Sequence, residues 1–147
     1  MHRIQSINSL LQNELSAMET YRQTLNKFRK QTALGEMNFL MSSFEDHKAA
    51  ACSLRGKIQH LGGTSAQDSG AWGTWAKIVM AGANCLGKQA ALKVLREGEL
   101  TGLEDYEKAL LDHELPSDIR SLIENKLLPA QQRHMRTLDQ LLNAVMA

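Results

Sequence analysis

The chain has 147 residues, 43% hydrophobic and 22% charged, the profile of a single globular domain with a sizeable core rather than a disordered chain. Lys and Arg number 17 against 16 Asp and Glu, so with a net charge of +1 neither nucleic acid nor an anionic membrane is expected as main partner. Two prolines, aromatics at 5%, and a surplus of Leu, Ala, Gln, Met, Lys and Glu set the class as all-α.

The opening residues Met1 to Ser6 hold neither an apolar run nor a small-residue cleavage site, so no signal peptide is expected there. No window approaches the ~18 apolar residues of a spanning helix. A first helix is predicted over residues 3–31, where Ile7, Leu11, Glu14, Met18, Tyr21, Leu25 and Phe28 step by four and three along one face. After a tight break near Gln31-Thr32 a second is predicted over 33–61, with Met37, Leu40, Phe44, His47, Ala51, Leu54, Ile58 and Leu61 as its stripe. Gly62-Gly63 ends it, since glycine accepts the left-handed cap geometry at little cost. Residues 62–87 form a long crossover, with a short helix predicted from Ala71 to Asn84. A third helix comes next over 88–113, with Leu92, Leu95, Glu99, Leu103, Tyr106 and Leu110 on one face. The fourth, over 117–145, uses Ile119, Ile123, Leu127, Ala130, His134, Leu138, Leu141 and Val145, and Ser117 or Asp118 is suited to cap it. Short connections inside each half make antiparallel hairpins. Two hairpins joined by one long crossover are the connectivity of a ferritin-like four-helix bundle, and a simple up-down bundle is the alternative that periodicity leaves open. Cys52 and Cys85 are too few for a disulfide framework or a thiolate zinc site, so a reduced, cytoplasmic protein is expected.

The two halves resemble each other. Glu14-Leu15-Ser16-Ala17-Met18-Glu19-Thr20-Tyr21 aligns with Glu99-Leu100-Thr101-Gly102-Leu103-Glu104-Asp105-Tyr106, and each half has a stripe histidine further on, His47 and His134. Glutamate on a core stripe is rarely buried unless it is paired or bound to a metal. Glu14 and His47 are equidistant from the turn at Lys30-Gln31, and Glu99 and His134 from Pro116-Ser117, so each hairpin sets one Glu beside one His about 25 Å from its turn. If the crossover inverts the second hairpin, all four residues converge at mid-bundle.

The string Asn13 to Tyr21, a glutamate with tyrosine seven residues on, resembles the first-helix motif of bacterioferritin-like proteins. The stretch from Arg96 through Glu99, Tyr106 to Leu110, Glu114-Leu115-Pro116 and Arg120 to Glu124, on to His134, with Phe39 and Leu61-Gly62-Gly63, resembles a bacterial ferritin-like family of unknown function. The resemblance implies a four-helix ferritin-like fold and brings no established activity with it. Ferritin-like di-iron sites place Glu-x-x-His on two of their helices. Here Phe44 stands three residues before His47 and Gln131 three before His134, which argues against a di-iron oxidase. Glu45 and Asp46 point about 100° to 200° away from His47 on a helical wheel and are expected to be poor substitutes. Glu14, His47, Glu99 and His134 are therefore the candidate ligands of one divalent ion, zinc or iron(II). The alternative is a metal-free polar layer, in which each Glu pairs with a His or a tyrosine, inside a non-catalytic interaction or stress-response bundle.

Tyr21 and Tyr106 share a face with the glutamates and are expected to be packed, with satisfied hydroxyls. Pro129, five residues before His134, is expected to kink the fourth helix or free a carbonyl. His2, His60 and His113 read as surface residues. No Gly-rich phosphate loop, nucleophile elbow or basic aromatic patch is present. In the crossover, Trp72, Trp75, Ile78, Val79 and Met80 supply more apolar surface than a short covering helix usually buries, so a homodimer through this segment is expected, with packing of both indoles onto the chain's own bundle as the alternative.

Overall fold

The computed structural model describes residues 2–66 and 87–146. The short helix expected from Ala71 to Asn84, both tryptophans and Cys85 lie outside the described residues. Helix α1 spans His2–Phe28 and tightens into a 3-10 turn at Arg29–Gln31, α2 spans Leu34–His60, and α3 spans Lys88–Leu110. The last arm is composite: α4, Ser117–Leu122, runs through a π turn at Ile123–Leu127 into α5, Leu128–Met146. No strand occurs among the described residues, and no helix there is long and apolar enough to cross a membrane.

The stripes face inward. Ile7, Leu11, Leu54, Ile58, Tyr106, Ile119 and Ile123 form one buried cluster, and Tyr21, Leu40, Leu92, Leu95 and Leu138 form a second. Each fully buried Leu or Ile contributes about 1.5–3 kcal/mol. Glu14, His47, Glu99 and His134 lie in sequence between the members of the two clusters on all four arms, so a polar layer divides the core at mid-height.

Contacts fix the direction of each arm. Asn13, Glu14 and Tyr21 of α1 meet Asp105, Tyr106 and Glu99 of α3, so these two helices run in opposite senses. Helix α2 also runs against α1, and its end packs beside the start of α1. There Gly62, at φ +81°, and Gly63 close α2 by donating to the carbonyls of Gln59 and Ile58 at 3.0 Å, a double bond that needs the left-handed glycine. Asn8 then fastens the outgoing chain, donating to the Thr64 carbonyl at 2.9 Å and accepting the Ala66 N–H at 2.7 Å. Helix α3 starts at the other end, where Lys88 Nζ reaches the Gln31 carbonyl and Glu36 Oε2, both at 3.1 Å. Helices α2 and α3 are therefore parallel, and the chain between them begins and finishes about 40 Å apart, the length of 27 helical residues. Up-down-up-down order, which periodicity left open, is excluded by this.

The connection into the last arm differs from expectation. Pro116 occupies the cap position of α4 and no side chain caps it. Arg120 instead donates to the carbonyls of Leu110 at 2.8 Å and Asp112 at 2.7 Å, satisfying the end of α3. Pro129 produces a π turn. Its ring has no N–H and collides with the carbonyl four residues back in an α-helix, and the wider turn before it, with Leu128 N–H on the Ile123 carbonyl, removes that collision. The extra residue rotates the remainder of the arm, so Gln131 and Leu142 are buried while Ala130 and Leu141 are only half-buried.

Gln131 sits against Gly102. Its Nε2 donates to the Glu99 carbonyl at 3.0 Å, and a Cβ on Gly102 would overlap that same nitrogen. Gly102→Ala is expected to displace the Gln131 amide, cost the Glu99 carbonyl its second donor while its helical bond remains, and destabilise by about 0.5–1.5 kcal/mol in chemical denaturation. Unchanged stability would mean that Gln131 repacks without loss.

Candidate metal centre

Glu99, from the middle of α3, is the hub of the polar layer. Its Oε1 accepts from Tyr21 at 2.9 Å and lies 2.5 Å from His47 Nε2, while its Oε2 lies 3.3 Å from His134 Nδ1. Each imidazole has a second carboxylate on its other nitrogen. His47 Nδ1 lies 2.5 Å from Glu14 Oε2, and His134 Nε2 lies 2.9 Å from Asp46 Oδ2. Tyr106 donates to the remaining oxygen of Glu14. Glu14, His47, Glu99 and His134 are each at most 3% exposed, so their pairing is a requirement of burial rather than an ornament of it. The Tyr21 and Phe39 rings pack edge-on to each other at 6.4 Å and both touch the His134 ring, closing one side of the layer.

The opposite side is open. A cleft of about 330 Å³ runs between α2 and the last arm, and Glu14, His47, Gln131 and His134 form its inner wall. Asn125, Lys126 and Leu127 of the π turn, with Asp46 and Arg133, line its outer part. π turns recur at functional sites because they re-aim side chains that an α-helix would space evenly.

The electrostatics follow from this wiring. Burial opposes a charge on His47, yet the Glu99 and Glu14 carboxylates on its two nitrogens outweigh it and hold its pKa well above the ordinary value. Burial alone would raise Glu99, but His47 and His134 bring it down to about 2. Burial, then the charge and hydrogen bond of Glu99, keep Tyr21 neutral; burial and Glu14 do the same for Tyr106. Both phenols therefore act as donors.

His47, Glu99 and His134 each offer one ligand atom, all within 4.8 Å of one another, and this buried group could hold a metal ion. The set suits zinc or iron(II), which take two imidazoles and one carboxylate and leave a further position open. The two imidazoles face different oxygens of the one carboxylate, His47 Nε2 at 2.5 Å from Oε1 and His134 Nδ1 at 3.3 Å from Oε2. The four residues singled out in the sequence thus meet in one layer, with Glu14 behind the His47 ring rather than beside Glu99. Asp46 corrects the helical-wheel expectation: it points away from His47 but across to His134, a partner on a different helix that no wheel of α2 contains. Phe44 is half-buried against the second core cluster. His60 and His113 are exposed, and the Tyr21 and Tyr106 hydroxyls are satisfied as expected.

For the metal-free protein the two pKa shifts define a pH window. His47, raised on folding, stabilises fully below its unfolded value near ~6.5 and loses that contribution as pH climbs through its folded value. Glu99, depressed from 4.5 to about 2, stabilises fully above 4.5 and loses that contribution as pH falls toward 2. In chelator, the denaturation midpoint is expected to be higher at about pH 5.5 than at about pH 8.5. Equal midpoints would show that His47 is not held as an imidazolium.

No curated protein and no solved structure matches the chain. Residues 2–112 match a domain of unknown function, DUF2383, a span that includes Glu14, Asp46, His47 and Glu99 and ends before α4. That span covers α1, α2 and α3, three-quarters of the molecule, and the chain belongs to the DUF2383 family.

Proposed function

We propose that this protein is a metal-binding helical bundle of ferritin-like build, holding one divalent ion through His47 Nε2, a Glu99 oxygen and His134 Nδ1. The observation behind the reading is the pairing of each imidazole. One ring nitrogen of each lies on its own carboxylate, Glu14 or Asp46, and the other faces Glu99. Metal-ligating histidines are held in this way, the outer carboxylate fixing the tautomer and orientation. Glu14, a candidate ligand from its stripe position, takes that outer role for His47, and Asp46 takes it for His134. Two antiparallel hairpins with parallel middle helices support the ferritin-like part of the reading. Gln131 and Phe44, neither of them able to bridge two ions as a carboxylate does, favour one ion over two.

A second reading is favoured by one observation: His47 is already satisfied on both nitrogens at 2.5 Å, and the tyrosines complete the glutamates. Such a layer needs no ion and would fix helix register in a non-catalytic bundle. Elemental analysis of protein purified without an affinity tag separates the two. One zinc or iron per chain is expected, with Glu99→Gln and His134→Ala each reducing it at least tenfold. A folded protein that takes up neither metal overturns the first reading.

The crossover adds a partner to the proposal, a second copy docked through Trp72 and Trp75. Sedimentation at micromolar concentration is expected to give a dimer, and Trp72→Ala/Trp75→Ala a monomer. A monomeric wild type, or a dimer indifferent to the double change, overturns that docking.

A further inference from the structure

We infer that the outer face shared by α1 and α2 is a docking surface for a second copy of this chain, separate from the crossover and independent of any metal. The face is apolar where a solvated helix pair is polar. Leu34 is 76% exposed and Met41 54%, and Met41 borders a groove of about 490 Å³ that Leu25, Met37 and Phe44 also line. Methionine adapts its shape to what it meets, so Met37 and Met41 suit a contact surface.

Charge names the occupant. Arg29 and Glu45 stand at the two ends of the groove, both exposed and neither with a hydrogen bond or ion pair among the described residues. Glu14 and His47 are level with each other across the hairpin, since their side chains bond. At about 1.5 Å per residue, Arg29 lies about 22 Å from that level toward the turn and Glu45 about 3 Å, so their heights differ by about 20 Å. With packed helix axes about 10 Å apart, the line from Arg29 to Glu45 tilts about 25° from them. A two-fold axis in the plane of the face, at right angles to that line, exchanges its ends. Each Arg29 then meets the other copy's Glu45, and the helices of the two copies cross at twice the tilt, about 50°, the commonest angle of packed helices. Met37 and Met41 flank the middle of the line and lie nearest the crossing. A self-complementary surface must carry both members of every pair, and this face does.

The contact is small, two exposed ion pairs around a few methionines, so it forms at higher concentration than the micromolar docking proposed for the crossover. Sedimentation of the full chain carrying Trp72→Ala/Trp75→Ala, which removes that docking, provides the test. Between about 10 μM and about 1 mM this chain is expected to pass from monomer to dimer. Arg29→Glu and Glu45→Arg, each of which sets like charges together, are expected to weaken the dimer at least fivefold or so, and the combined Arg29→Glu/Glu45→Arg to restore it. Both positions are exposed, so the fold is not at stake. A monomer throughout, single changes without effect, or a combined change that leaves the dimer weakened would each overturn the inference. Should the indole changes leave a dimer at micromolar concentration, the crossover docking falls, and the same three charge variants still decide whether this face holds the copies together.

Discussion

One buried carboxylate organises the molecule. Glu99 is 2% exposed at the centre of α3, where an unpaired charge would cost several kcal/mol, and the fold surrounds it with one partner from each other arm. Tyr21 comes from α1, His47 from α2 and His134 from α5. A residue with a partner on every neighbouring helix fixes the relative height of all four arms, because a one-turn slip of any of them leaves a buried polar group unpaired. The two hydrophobic clusters on either side supply the bulk of the driving force but would tolerate such a slip far better, since apolar contacts are non-directional.

The parallel course of α2 and α3 is what makes the encirclement workable. With α1 running against both, the Glu-to-Tyr interval of seven residues on α1 lies beside the same interval reversed on α3. Tyr21 therefore meets Glu99 and Tyr106 meets Glu14, a reciprocal pair of the kind a two-fold repeat produces. The histidines do not keep that symmetry. His47 lies between both glutamates, whereas His134 turns its second nitrogen to Asp46 at the cleft. The π turn belongs with this difference, because it occurs only in the second hairpin and rotates the segment that bears His134. One half of the repeat thus closes the layer, and the other half opens it to the cleft.

Much of this is legible in the sequence, and the remainder is not for identifiable reasons. Glu14 and Glu99 on otherwise apolar stripes reveal a buried polar layer because helical spacing is a local property. Equal distances from a turn bring Glu14 to His47 and Glu99 to His134 because antiparallel hairpins preserve height. Asp46 is invisible to both rules: its partner is on a helix joined to α2 neither by a turn nor by proximity in sequence. Gln131 reads as a missing ligand and not as a buried amide, because its burial depends on the extra residue of a π turn and on the absent Cβ of Gly102. Pro129 does signal a disturbance, but a proline is relieved by a kink, a lost bond or a wider turn, and packing chooses among them.

The same wiring reconciles the two states of the layer. Without an ion, the protons on His47 neutralise part of the charge of Glu14 and Glu99, which is why its pKa is held high and that of Glu99 low. An ion held by His47 Nε2 would take the place of the proton on that nitrogen and leave the Nδ1–H on Glu14, so the outer hydrogen bond would remain. On the proposed reading the metal-free layer would be a protonated form of the same site, kept in register by Tyr21, Tyr106 and Asp46. Taking up the ion would require His47 and Glu99, 2.5 Å apart, to separate, and the cleft that His47 lines is where the bundle has room for it. A close-packed core resists such motion, and a core divided by a cleft does not.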